Sequence, residues 1–243
     1  MTRPFLLLVF LLLATGIHVP AAAQERTELQ AFQDAAGNRS ILFRGKQAAR
    51  YAFPYNGHPY WRETAFQPGE IRFEDNDYHD VLLNIDAVRQ LALVKLPDSM
   101  FAVSLSPSLT SSFTMDGRRY VGVGPGEALP EGFYEVIGKG PEQVYFRITK
   151  TLASSTNIAN GDPIGYYDEN YRYEVLTYFA IHKYFYFKDA DGKFTRFRSR
   201  NALLGKFPGR KREIRQALRD RLDTYERPSL ETYCETFMNI VAP

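Results

Sequence analysis

An α+β fold, mainly antiparallel β in meanders and hairpins with C-terminal helices, is what this sequence predicts, and three observations predict it. Between Gly69 and Leu105 the residues Ile71, Phe73, Val81, Leu83, Ile85, Leu91, Leu93, Phe101, Val103 and Leu105 all fall on odd positions, the two-residue period of strands with one apolar face. The runs are separated by the turn formers Asp75-Asn76 and Pro97-Asp98-Ser99, and Asp116-Gly117 marks a hairpin beyond them. From Ser199 onward the apolar spacing changes to the three- and four-residue steps of helices, with Ile214, Leu218, Leu222 and Tyr225 in register. The pattern leaves open whether the sheet is open or barrel-like, with the helices packed on one face or one end of it.

The chain begins with Arg3, an apolar run from Phe5 to Ala14 and the small residues Ala21-Ala22-Ala23, the three parts of a secretory signal with cleavage expected after Ala23. The run is too short to span a bilayer and no stop-transfer segment follows, so no transmembrane span is expected after signal removal. Gln24 would be the first mature residue, so no cysteine stands there to carry a lipid, and the expectation is an exported, soluble protein of the periplasm or cell envelope. The remaining residues, about 220, suffice for a single β-rich domain over 24–243.

In order, Glu25 to Ala36 reads as a short helix and Ser40 to Arg44 as a strand, before an aromatic, turn-rich stretch carrying Tyr51, Tyr55, His58, Tyr60 and Trp61. The meander follows, and Ser106-Pro107-Ser108 interrupts it because proline supplies no ladder donor. Ser111–Met115 and Arg118–Val123 form a hairpin around Asp116-Gly117, a two-residue loop that sets Phe113 opposite Tyr120. Phe133–Ile137 and Val144–Ile148 make a further pair, and Thr151 to Asp168 reads as a long loop. Tyr171 to Phe187 carries so many aromatics that it predicts central strands covered on both faces, turning at Asp189–Gly192 into Lys193–Arg198. Ser199 caps a helix over Asn201–Lys206, Pro208-Gly209 interrupts, and Pro228-Ser229 opens a last helix with Leu230, Tyr233, Cys234, Phe237 and Val241 inward.

Several blocks together resemble an uncharacterised family of exported bacterial cell-envelope proteins. They are Arg44-Gly45-Lys46-Gln47, Gly57-His58-Pro59-Tyr60, Gly69–Phe73 with Tyr78, Val81, Leu83 and Asp86, Leu129–Tyr134, Lys183–Tyr186, Asp191–Phe194, and Arg198–Leu204 with the basic helix after it. The resemblance implies an envelope location and a mostly β architecture; it implies no catalytic residue.

Composition excludes several function classes. Without Arg3 the chain holds 29 basic and 28 acidic side chains, which gives no electrostatic case for nucleic acid. His58, His79 and His182 stand far apart and in no zinc-ligand spacing, and Asp77, His79 and Asp80 supply too few ligands for a metal site. Asp189-Ala190-Asp191-Gly192 resembles the start of a calcium loop, but the twelfth position is Arg200. Gly122-Val123-Gly124-Pro125-Gly126 lacks the lysine and the context of a phosphate loop. No nucleophile motif is present, although Ser, His and Asp can still meet in space. Cys234, the only cysteine, rules out an internal disulfide and reads as a small core residue beside Tyr233, Phe237 and Met238. No cofactor is expected.

Two stretches remain as candidate binding sites. The helix after Pro208 carries Arg210, Lys211, Arg212, Arg215, Arg219 and Arg221, a positive outer face for an envelope protein, an acidic polymer or an anionic surface. The aromatic stretch offers Tyr55, His58, Tyr60 and Trp61, which serve equally to cap a sheet or to line a ligand pocket. The leading expectation is a non-enzymatic envelope protein that binds a protein or polymer partner. The alternatives are a carrier of a small glycan or lipophilic ligand in a barrel-like cavity and, behind it, a hydrolase.

Overall fold

An eleven-stranded antiparallel sheet organises the protein. In the computed structural model, which describes residues 40–51, 56–155, 158–159, 162–163, 176–222 and 228–242, its strands are β1 (Lys46–Gln47), β2 (Gln67–Phe73), β3 (Asn76–Asp86), β4 (Leu91–Lys95), β5 (Ala102–Leu105), β6 (Thr110–Met115), β7 (Arg118–Val123), β8 (Gly132–Ile137), β9 (Gln143–Ser155), β12 (Leu176–Lys188) and β13 (Phe194–Phe197). Between β9 and β12, β10 (Ile158–Ala159) and β11 (Asp162–Pro163) pair only with each other. The spatial order is β1-β5-β4-β3-β2-β6-β7-β8-β9-β12-β13, a meander whose direction reverses once, where β2 pairs with β6. The sheet stays open, with β1 and β13 as its edges. Three α-helices follow it, α1 (Arg200–Leu204), α2 (Lys211–Arg221) and α3 (Leu230–Val241). The chain divides into Met1–Ser40 and Ile41–Pro243, and every element named here belongs to the second unit; the helix expected over Glu25–Ala36 lies outside the described residues.

Turn chemistry sets most of the register. Asp116 (φ 51°) and Gly117 (φ 67°) form a two-residue loop with both φ values positive. Phe113 then lies opposite Tyr120, as the loop length predicts, with rings stacked at 4.8 Å. The β2–β3 turn centres on Glu74 (φ 47°) and Asp75 (φ 62°), one residue earlier than expected, and the Asn76 side chain donates to the Glu74 carbonyl.

The alternation of burial changes phase along the meander. Ile71 pairs with Tyr78, but Gly69 pairs with Val81, so β3 carries an extra residue at a bulge where Asp80 has φ 52°. Leu83 and Ile85 face Val94 and Ala92 across the ladder, which puts Leu91 and Leu93 on the opposite face, contrary to the odd-position reading. Two other expectations are corrected. Ile41–Arg44 is a 3-10 turn that buries Leu42 rather than a strand. Thr151–Ser155 continues β9, paired with Leu176–Thr177 and onward along β12, rather than opening a loop. The aromatic strand β12 is next to the edge, and β13 covers only Phe185–Lys188 of it.

Gly122 marks one of the two closest backbone approaches in the sheet, Gly69 against the Thr114 carbonyl being the other. A Cβ there would lie 2.0 Å from the Thr110 carbonyl oxygen and 2.4 Å from that of Pro107. Both obstacles are main chain, so Gly122→Ala forces β6 and β7 apart. The expected cost is about 1–3 kcal/mol, read as a lower urea midpoint than wild type.

The main core lies between one sheet face and the helices. Phe113, Tyr120, Phe133, Phe146, Phe185 and Phe187 supply the sheet side, and Leu203, Ile214, Leu218, Cys234, Phe237 and Met238 the helix side. Ser199 and Ser229 cap α1 and α3 by accepting from the Ala202 and Thr232 amides, which starts each helix where the sequence places it. A smaller cluster of Val123, Leu129 and Tyr134, with Tyr145, Tyr186 and Phe194 against it, covers part of the other face. The aromatic run of β12 serves both, with Phe185 and Phe187 in the first and Tyr186 in the second.

Candidate functional site

Helix α2 is anchored by Ile214 and Leu218, both buried, and carries Arg212, Arg215 and Arg219 exposed on its other side. These three recur at steps of three and four residues, so they form one stripe about 10 Å long at the rise of an α-helix. Among the described residues none of the three has a carboxylate partner. Arg210 differs: its Nη2 donates to Glu213 Oε1 at 3.0 Å and its Nε to Oε2 at 3.3 Å. That bond raises the Arg210 pKa and lowers that of Glu213, so Arg210 is taken up by its own helix. Lys211 is half-buried, and Asp220 accepts from the Gln216 amide. Arg219 and Arg221 in the last turn complement the negative end of the helix dipole.

The aromatic stretch does not act as a unit. Tyr55 lies outside the described residues. Trp61 is 2% exposed and sits edge-on between Tyr120 (6.0 Å) and Phe146 (5.9 Å), inside the core. His58 and Tyr60 are half-buried at the rim and stack at 6.0 Å. The segment is pinned to the sheet through Trp61 N to the Ile85 carbonyl and Ala87 N to the Pro59 carbonyl. The His58 carbonyl accepts from Lys150 Nζ at 2.9 Å. Burial, then the nearby ammonium, lowers the His58 pKa, and burial alone lowers that of Lys150. Asp86 is buried and held by the Tyr51 hydroxyl (2.8 Å) and by the Val88 and Arg89 amides.

Sequence reasoning missed the largest polar assembly. Glu135, 2% exposed on β8, accepts from Arg62 at 2.6 Å and from Arg118 at 2.7 Å. Arg62 also pairs with Glu231, and Arg118 with Glu235 at 2.5 Å, so one turn of α3 reaches down to the sheet through two carboxylates. Lys183 on β12 completes the group at 3.3 Å from Glu231, and both Arg62 and Lys183 lie over the Phe146 ring. Burial works against the charge on Arg62 and Arg118, but the adjacent carboxylates outweigh it and raise both pKa values. Tyr120, beside the group, is pushed up by burial and then by Glu135. Three acids are matched to three bases, so every charge in the group faces an opposite one. The assembly is a clasp between sheet and helix. The signal in the sequence was Glu135 itself, a lone carboxylate in the otherwise uncharged strand from Gly132 to Ile137.

The remaining chemistry-bearing residues stay apart. His79 Nδ1 lies 3.1 Å from Glu70 across the exposed β2–β3 ladder, and His182 Nε2 3.3 Å from Thr151 Oγ1. Among the described residues no three His, Cys, Asp or Glu side chains converge on a point where a cation would sit. Cys234 is fully buried, and burial, then Glu231 and Glu235, push its thiol pKa up. A thiol held protonated in the folded chain stabilises it fully below the unfolded pKa, about 8.5, and this contribution declines as pH rises above that value. Native Cys234 is therefore expected to resist a thiol-specific disulfide reagent at pH 8 and to react on unfolding in urea, followed by reagent absorbance.

Comparison with protein-family models, with curated proteins and with solved structures returns no match. Among the described residues no helix is long and apolar enough to cross a membrane.

Proposed function

We propose that the protein is a non-enzymatic, exported component of the bacterial envelope that binds an anionic polymer through Arg212, Arg215 and Arg219. The observation that carries this reading is the row of three exposed guanidiniums without carboxylate partners among the described residues, on a helix whose opposite side is fixed in the core. Guanidinium groups suit carboxylate and phosphate because their N–H donors form a planar fork. A polymer fits better than a globular partner, because protein interfaces centre on buried aromatic or aliphatic anchors, whereas the exposed neighbours of this stripe are Glu213, Gln216 and Asp220. The signal-like composition of Met1 to Ala23 supports export. The resemblance to exported envelope proteins supports the same location. The open sheet, with helices over one face, favours an interaction module over a carrier with a barrel-like cavity.

The test is binding of polygalacturonate, a carboxylated polymer, to the mature chain and to the variant Arg212→Glu/Arg215→Glu/Arg219→Glu. Each exposed ion pair contributes up to about 1 kcal/mol, so the triple reversal is expected to weaken binding by about 3 kcal/mol, roughly a hundredfold. Wild-type affinity falls with added salt as the screening length shrinks from about 10 Å at 0.1 M to about 3 Å at 1 M. Equal affinity of the two proteins at low salt overturns the assignment.

A further inference from the structure

The helical layer holds a second positive feature close to the stripe. A cleft of about 400 Å³ opens between the start of α1 and the start of α3, lined by Arg198, Ser199, Arg200, Asn201, Pro228 and Leu230. That volume is within the range of small-molecule sites. Its side chains are of two kinds. Arg200 is fixed in the wall, donating to the Pro228 carbonyl while its guanidinium lies over the Tyr233 ring at 5.2 Å. Arg198 is exposed and, among the described residues, has no carboxylate partner. The Asn201 side chain is exposed and makes no hydrogen bond to a described residue, whereas the Ser199 hydroxyl is spent on the Ala202 amide. Pro228 and Leu230 supply an apolar wall.

The cleft is tied to the helix packing through Tyr233. Tyr233 of α3 lies under the Arg200 guanidinium at 5.2 Å, and α3 packs against both α1 and α2. The cleft and the stripe therefore belong to one helical layer, the cleft at the α1–α3 junction and the stripe on α2.

We infer that this cleft holds one acidic sugar unit of the bound polymer, with its carboxylate on Arg198, its hydroxyls on Asn201 and its C–H face on Pro228 and Leu230. Sugar rings present an apolar face and a polar rim, and the cleft offers the matching pair of surfaces in one small volume. An inorganic anion would use the guanidinium alone and leave the apolar wall uncovered. The inference rests on the polyanion reading above and names the chemistry of the repeating unit.

Monomer and polymer separate the two claims. Galacturonate, galactose, inorganic phosphate and polygalacturonate are titrated calorimetrically into the mature chain, into Arg198→Ala/Asn201→Ala and into Arg212→Glu/Arg219→Glu. Near-UV circular dichroism confirms that each variant is folded. The expected results are binding of galacturonate but not galactose, a loss of at least about tenfold for the monomer in the cleft variant, and a change of no more than about twofold for the monomer in the stripe variant. The stripe variant instead loses the polymer. If wild type does not bind galacturonate, if the cleft variant binds it as wild type does, or if phosphate displaces it at equal concentration, the cleft is not an acidic-sugar site, and loss of the polymer by the stripe variant still upholds the reading of the helix. If polymer binding is indifferent to the stripe, that reading falls, whatever the cleft does.

Discussion

Glu135→Gln is expected to destabilise the fold by about 3 kcal/mol. Removing one member of a buried ion pair costs about 3–5 kcal/mol because it strands the partner's charge. Here the lower end applies, since Arg62 and Arg118 keep Glu231 and Glu235 and their side chains remain 27% and 33% exposed. The contrast is Lys183→Ala, which removes a rim member 46% exposed. Its loss should cost no more than about 1 kcal/mol, as for surface pairs. Urea melts followed by Trp61 emission measure both, with the slope unchanged if only stability moves. Equal effects of the two substitutions would show that the buried carboxylate is not the centre of the clasp.

Trp61→Ala should cost about 3–5 kcal/mol, the range for truncating a large buried aromatic. Trp61 is 2% exposed and wedged between Tyr120 and Phe146, the second of which also lies under the Arg62 guanidinium that enters the clasp. The effect is expected on stability, read by far-ultraviolet circular dichroism, while affinity for polygalacturonate under folding conditions stays within about twofold. Lost affinity with unchanged stability would return Trp61 to the ligand-contacting role that its aromatic neighbours suggested. The position of this residue separates two readings that composition alone left equal.

Local chemistry was legible in the sequence wherever it acts over a few residues. Asp116-Gly117 fixed a register, and the pairing of Phe113 with Tyr120 followed from loop length alone. Ser199 and Ser229 marked helix starts because a hydroxyl accepts the amide two or three residues on. The amphipathic spacing of α2 likewise gave both its buried side and its charged side. What escaped depended on partners far away in the chain. The Asp80 bulge shifts the alternation by one residue, and the reversal into β4 puts Leu93 on the opposite face from Leu83, so a parity count carried through the meander goes out of phase. β9 runs on to Ser155 through polar residues because β12 lies beside it to complete the ladder, which a local pattern does not contain. The clasp joins Arg62 to Glu135 across 73 positions and Arg118 to Glu235 across 117. Each of these charges taken alone resembles an ordinary surface residue, apart from Glu135 in its uncharged strand. The cleft at Arg198 and Arg200 was likewise hidden, since it exists only where α3 returns beside α1.

The most direct measurement of the binding surface is a titration of residues 24–243, labelled with ¹⁵N-arginine, with polygalacturonate, following each Nε–Hε resonance by nuclear magnetic resonance. Arg62 and Arg118 serve as internal references, since their guanidiniums are tied into the clasp. The account predicts that Arg212, Arg215 and Arg219 shift together with polymer concentration and return with added salt while the two references stay fixed. Shifts confined to other arginines, or no shift at all, would contradict it.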